Sequence, residues 1–316
     1  MRRVLTLVLL ATRVLSSAMA DETAQSRPPL AVFPFEERGS GTEGTGRKIS
    51  DFLTATLATD PELVVVERAE LNKLLEEQKL SVSGLVKPDE AVQVGRLTGA
   101  KLLILGSVIE LDSTLIISAR ITGTETGKIV GAKVKGKTDD DLAELADKLA
   151  EEVVRAITSR SKELIAAPIA PEDRAATILK VLGDRPRPVV WLKITERHVG
   201  QATIDPAAET EIARLLHETG FTVIDHKSGD VKQADIVIEG EGFSEFATRQ
   251  NDLNSVRARV EVTAVRRESN ERIFSDRQTE IVVNVTEQIA GKSALQNAAG
   301  EIALRLLPKL VQLPQK

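Results

Sequence analysis

One order of elements occurs twice along these 316 residues, and that repetition constrains the fold more than any single motif. Val189-Val190-Trp191 lies 158 residues after Ala31-Val32-Phe33. Phe221 to Asp225 (FTVID) lies the same 158 residues after Leu63 to Glu67 (LVVVE). Each is a short β-type run, and both halves place a helical pattern between the two runs. In the first half its apolar face is Ile49, Leu53 and Leu57; in the second it covers residues 206–219. Ala234 to Gly240 (ADIVIEG) sits like Ala100 to Gly106 at an offset of 134, so the second copy is 24 residues shorter. A period-2 hairpin and one long helical pattern then close each copy: 114–122, 128–136 and 139–162 in the first, 256–265, 272–285 and 287–311 in the second. This predicts an α+β chain of two tandem α/β domains, each a mixed sheet flanked by helices, related by an internal duplication. The boundaries read as 1–20 for a leader, 30–163 for the first domain, 164–187 for a Pro-rich linker and 188–313 for the second, shortened domain. Within the linker only residues 173–181 carry a short helical pattern.

The leader has the parts of a secretory signal: Met1-Arg2-Arg3, an apolar run from Val4 to Thr12, and Ala18-Met19-Ala20 before Asp21. Cleavage is expected after Ala20, and with it a periplasmic location, with outer-membrane association in reach. The leader holds three arginines and no acid, so its loss takes the net charge from −5 to −8. That balance, no tyrosine and a single tryptophan exclude the dense basic footprint and stacking rings of a nucleic-acid binder. There is no cysteine, so no disulfide staples the core and no lipid can be attached to a cysteine after the signal, where Asp21 stands.

Gly39-x-Gly41-x-x-Gly44 lies between a strand and a helix, with Glu67 ending the next strand, close to a dinucleotide-binding layout. Glu36, Glu37 and Arg38 intervene, and two carboxylates there would repel a pyrophosphate. The reading is therefore a loop. His198, His217 and His226 have no ligand spacing, and no thiolate accompanies them. Asp139-Asp140-Asp141 is a helix-start charge run. No serine stands in a nucleophile-elbow frame. The sequence predicts no enzyme, no cofactor and no metal.

Residues 63–108 read strand, helix, helix, strand. Glu67-Arg68, Leu71, Leu75, Glu77-Gln78, Gly84, Gly95, Gly99-Ala100 and Gly106 in this stretch resemble the CsgG family, the curli production assembly/transport component. The resemblance covers roughly residues 30–160. It implies a non-enzymatic cell-envelope protein of assembly or secretion, with protein partners and a homo-oligomeric ring. The alternative is a periplasmic protein-binding scaffold attached to another envelope machine, flagellar or transport. Glu67, Arg68, Glu77 and Gln78 are the candidate subunit or partner contact, since the second copy lacks this segment. In the resembled family two inserted hairpins build an outer-membrane barrel. Between Gly106 and Asp139 there is room for one hairpin only; it carries Lys128, Lys133, Lys135 and Lys137 and no aromatic girdle. Its apolar stripe of Leu115, Ile117, Ala119 and Ile121 is expected to pack on helices, so a soluble relative is expected rather than a pore.

Overall fold

The computed structural model describes residues 28–39, 42–60, 62–66, 88–198, 201–202, 206–250 and 253–311. The leader and the segment 67–87, with the helix expected over 69–79, lie outside them.

The first sheet contains β1 (Pro29–Val32), β2 (Glu36–Arg38), β3 (Val64–Val65), β4 (Leu102–Leu111), β5 (Thr114–Gly123) and β6 (Ile129–Lys137). Its order is β3-β1-β4-β5-β6, with β2 continuing beside β4. β1 is parallel to β3 and β4, and β4, β5 and β6 are antiparallel. The helices are α1 (Thr45–Ala58), α2 (Pro88–Thr98) and α3 (Leu142–Leu164). The second sheet repeats the plan with β7 (Val190–His198), β8 (Gln201–Ala202), β9 (Val223–Asp225), β10 (Ile236–Gln250), β11 (Leu253–Arg266) and β12 (Arg272–Asn284). Its order is β9-β7-β10-β11-β12, with β8 also beside β7 and the same parallel and antiparallel pairings. Helices α4 (Pro171–Leu182), α5 (Ala207–Glu218) and α6 (Glu287–Leu310) complete the chain.

The duplication is thus a duplication of topology, and the ladders give its register. Leu30 lies opposite Val65 and Leu102, and Val190 lies opposite Val223 and Ile236. Leu30 therefore corresponds to Val190, two residues out from the match of Ala31 with Val189. A two-residue slip keeps every side chain on its own face, because the strand period is two.

Each sheet buries one face under its helices. In the first, Leu30, Ile104, Ile117 and Ile121 meet Leu53 of α1 and Leu149 of α3. The stripe Leu115, Ile117, Ala119 and Ile121 lies wholly in this core. Burying such a side chain stabilises by about 1.5–3 kcal/mol, so these residues are committed to the helices. The aspartate run starts α3: Asp141 caps it by accepting the Ala143 N–H at 2.8 Å, and Asp140 accepts the Lys137 N–H at 2.8 Å.

Two features depart from the sequence reading. The stretch 164–187 holds α4, with Pro171 in its first turn and Arg174, Ile178 and Leu182 buried. Ile178 and Leu182 belong to the core of the second sheet, so this helix is packed structure rather than loose connection. Strand β10 also runs ten residues past Gly240. On its core face stand Gly240, Gly242 and Ser244, small rather than apolar, because a Cβ on Gly242 would lie 3.2 Å from Leu295 of α6. Close approach of the helix removes the apolar alternation that reveals a strand.

Candidate functional site

The loop before α1 shows what its glycines do. Gly44 occupies the N-cap with φ of 71°, and a Cβ on Gly46 would lie 2.4 Å from the Phe35 carbonyl. Glu37 swings onto the helix end: its Oε2 accepts the Gly44 N–H at 3.0 Å and its Oε1 the Gly46 N–H at 2.8 Å. The amides and the helix dipole that a phosphate would use are thus taken by a carboxylate of the same chain. The second unit repeats the device. Glu196 Oε2 accepts the Ala207 N–H at 2.8 Å and Oε1 the Glu209 N–H at 2.9 Å, at the start of α5. The two carboxylates are equivalent by register, since Glu37 pairs with Val108 of β4 and Glu196 with Gly242 of β10. Burial pushes Glu196 above the usual carboxylate range, and the backbone donors partly offset this.

Glu67, Arg68, Glu77 and Gln78 lie outside the described residues. Val66, the last described residue before them, is buried, and its N–H donates to the Leu30 carbonyl of β1 at 2.8 Å.

His198 Nδ1 and Ser244 Oγ are 2.7 Å apart, but Ser244 is fully buried beneath Gly291 of α6 and cannot meet a substrate. No three metal-ligating side chains converge among the described residues. A cleft of about 310 Å³ opens on the outer face of the second sheet, lined by Thr195, Arg197, Glu241, Phe243, Arg259 and Glu261. Glu261 there is held by Arg277 at 2.7 Å and Arg259 at 3.2 Å, so the lining neutralises much of its own charge. These clusters contain no accessible nucleophile beside a base.

The outer faces of the two sheets differ. In the first unit Ala31, Phe33, Leu103 and Leu105 are buried with Val66, Val94 and Ala100, and Ile281 of β12 packs against them. β12 also donates from Thr279 Oγ1 to the Leu97 carbonyl at 2.8 Å. Gly99 ends α2 with φ of 76°, and a Cβ there would lie 3.1 Å from Ile281. Lys101 completes the seam, 2.6 Å from Glu125 and 3.5 Å from Glu280. Burial pulls Lys101 down, but Glu280 and Glu125 outweigh it and hold its pKa above the usual lysine value. Burial pushes Glu280 up, with Lys101 and Gln278 pulling the other way. The sequence reading missed this seam. Its one signal is the run Ile281-Val282-Val283, apolar toward both faces of an edge strand, where one face should be polar.

No curated protein matches the chain. Among solved structures it is similar to the LpoB C-terminal domain from Escherichia coli at 18% identity, covering 38% of this chain and 90% of that one with a TM-score of 0.31. Lipoprotein GNA1162 from Neisseria meningitidis is similar at 15% identity, over 41% of this chain and 96% of that one, with a TM-score of 0.30. The PelC dodecamer from Paraburkholderia phytofirmans is similar at 13%, over 42% and 89%, with a TM-score of 0.27. Scores this low carry no argument about function. Residues 11–158 match the family described as curli production assembly/transport component CsgG, the family that the motifs of residues 63–108 resemble.

Proposed function

We propose that this chain is a non-enzymatic cell-envelope component that acts in assembly or transport, as an exported protein in the periplasm or associated with the outer membrane. The observation that carries this is the CsgG family match over residues 11–158. The plugged start of α1 supports a protein-binding role over a nucleotide-dependent one, because Glu37 holds the amides a phosphate would need. Packing of the β5 stripe beneath α3 supports a part that is not a membrane barrel, since those side chains face helices rather than lipid. Among the described residues no helix is long and apolar enough to cross a membrane. The working units in this reading are 30–163 and 188–313, with α4 from the intervening stretch joined to the second.

Its partners are envelope proteins or further copies of the chain, met through Glu67, Arg68, Glu77 and Gln78, the segment that only the first unit has. Fractionation of cells exporting the chain tests the location. The expected result is a mature protein beginning at Asp21, released with the periplasm or recovered with the outer membrane; cytoplasmic protein beginning at Met1 would sink the proposal. Sedimentation of Glu77→Lys against wild type tests the contact, with weaker association at an unchanged melting temperature as the expected outcome. Identical distributions for both proteins would remove this segment as the contact.

A further inference from the structure

The tandem units make one contact that is asymmetric in a telling way. β12, the edge strand of the second sheet, lies on α2 and the outer face of the first sheet through Thr279 and Ile281. If the units were alike, β6, the edge strand of the first sheet, could dock in the same way on the outer face of another second unit. Copies would then add head to tail.

Register shows what stands at each required position. Gly106 pairs with Ala119 and Ala119 with Ala132; Gly240 pairs with Val262 and Val262 with Asp276. Counting along both edge strands, Lys135 stands where Thr279 stands, and Lys137 where Ile281 stands. Both lysines are exposed. The receiving face differs as well. Lys193 and Glu239 of the second unit occupy the positions of Phe33 and Leu105. Phe33 and Leu105 are buried, whereas Lys193 and Glu239 are exposed. Between β9 and β10 the second unit has only a three-residue 3-10 turn, Val231–Gln233, where the first has α2.

We infer that the outer face of the first sheet is a docking site for an edge strand of this fold, that the chain's own second unit fills it, and that the pairing is closed at both ends. Lysines on the free edge strand block an incoming sheet. The outer face of the second unit meets such a strand with Lys193 and Glu239 beside the half-buried Trp191 and Val237, and has no α2 to accept its hydroxyl. The chain is in this respect a finished pair. Any self-association must use another surface, such as the segment of Glu67 to Gln78 proposed above, and the present inference does not depend on that proposal.

Two experiments test it, both read as differences from wild type, so that association elsewhere cancels. The chain has no cysteine, so Lys101→Cys with Glu280→Cys places a unique thiol on each side of the seam. A short bifunctional thiol reagent should join them within one chain, giving a product of monomer mass on a denaturing gel. A ladder of multiples as the main product would overturn the inference. In the second experiment, Lys135→Thr with Lys137→Ile restores the docking pattern to β6, and Ile281→Lys vacates the receiving face. The pair on β6 alone should sediment as wild type, because the face is filled. Combined with Ile281→Lys it should associate with concentration, about tenfold more tightly than Ile281→Lys alone, the scale of one buried isoleucine. Association of the β6 pair alone, or no gain in the triple variant, overturns the inference. Emission of the single Trp191 reports whether each variant keeps its second unit folded, and the cross-linking result stands without Ile281→Lys.

Discussion

Glu211→Leu is predicted to destabilise the second unit far more than Arg174→Met, although each removes one side of the same ion pair. The carboxylate of Glu211 is about 1% exposed and accepts from Arg174 Nη1 at 2.9 Å and Arg214 Nη2 at 2.8 Å. Its second oxygen accepts from Arg214 Nε at 3.1 Å and Gln296 Nε2 at 3.3 Å. Arg174 is equally enclosed, but its only other partner among the described residues is Asn297 Oδ1 at 3.2 Å, and its Nε has none. Removing Glu211 therefore strands a buried guanidinium, which costs about 3–5 kcal/mol. Removing Arg174 leaves Glu211 with Arg214 and Gln296, so the cost is about 1–2 kcal/mol, the scale of a lost hydrogen bond. The double variant should fall near Arg174→Met, giving a coupling of about 2 kcal/mol or more.

The assay follows from composition. Trp191 is the only tryptophan and lies in β7, edge-on to His226 with ring centroids 6.2 Å apart, so urea unfolding read by its emission reports the second unit. With a slope of about 1.5 kcal/mol per molar urea, Glu211→Leu should lower the midpoint by roughly 2–3 M. Burial pushes Glu211 up, but hydrogen bonds from Arg214 and Arg174 more than offset this and hold it below the usual carboxylate range. Its contribution is therefore present above the ordinary carboxylate pKa and lost as pH falls through the depressed value. A loss under about 1 kcal/mol for Glu211→Leu, the value of an exposed pair, would refute the argument, as would additive single variants.

Three further outcomes are expected. Glu196→Ala should cost about 1–2 kcal/mol by Trp191 emission, since two N–H groups of α5 lose their acceptor, while the exposed Glu37→Ala should cost about 1 kcal/mol or less and show as faster amide exchange at Gly44 and Gly46. Glu280 has its folded pKa raised, so its contribution is fullest below the ordinary carboxylate value and falls as pH rises through the raised one; Glu280→Gln should gain on wild type in urea midpoint as pH rises above the ordinary carboxylate value, and a constant difference would contradict the burial argument. Limited proteolysis should cut at 165–170 or 183–188 and spare Ile178 and Leu182, which are buried in the second core; early cleavage within α4 would detach it from that unit.

The repeated strand order was legible because it rests on apolar runs of β-branched residues, whose spacing survives in the sequence even where identities do not. Helices α1, α3, α5 and α6 announced themselves by a one-sided apolar stripe. Two elements did so only in part. The pattern over 173–181 marks α4, but prolines on both sides read as connection, and its interior Arg174 reads as surface until Glu211 is found across the core. β10 is marked up to Gly240 and hides beyond it, because its buried face there is glycine and serine. The seam was illegible for a different reason: Thr279 and Ile281 become a docking edge only when Leu97 and Gly99, some 180 residues earlier in the chain, are brought beside them. No local pattern carries that information.

Because the chain contains its own fold twice, each unit serves as a control for the other. Positions that do the same work in both, such as Glu37 and Glu196 on their helix ends, are explained by the fold alone. On that test the glycine loop before α1, the nearest approach to a cofactor motif, is structural: the second unit caps its helix with the same carboxylate and without those glycines. Positions that differ between the units are where their roles diverged. They include α4, held by the second unit alone; the stretch 67–87 with α2, held by the first alone; the edge strands, lysine in one and Thr279 with Ile281 in the other; and the outer sheet faces, with Phe33 and Leu105 in one where Lys193 and Glu239 stand in the other. The edge strands and the outer faces meet at the seam between the units, through Thr279 and Ile281. In the proposed function Glu67, Arg68, Glu77 and Gln78 are the contact, and they lie in the stretch for which the second unit has no counterpart.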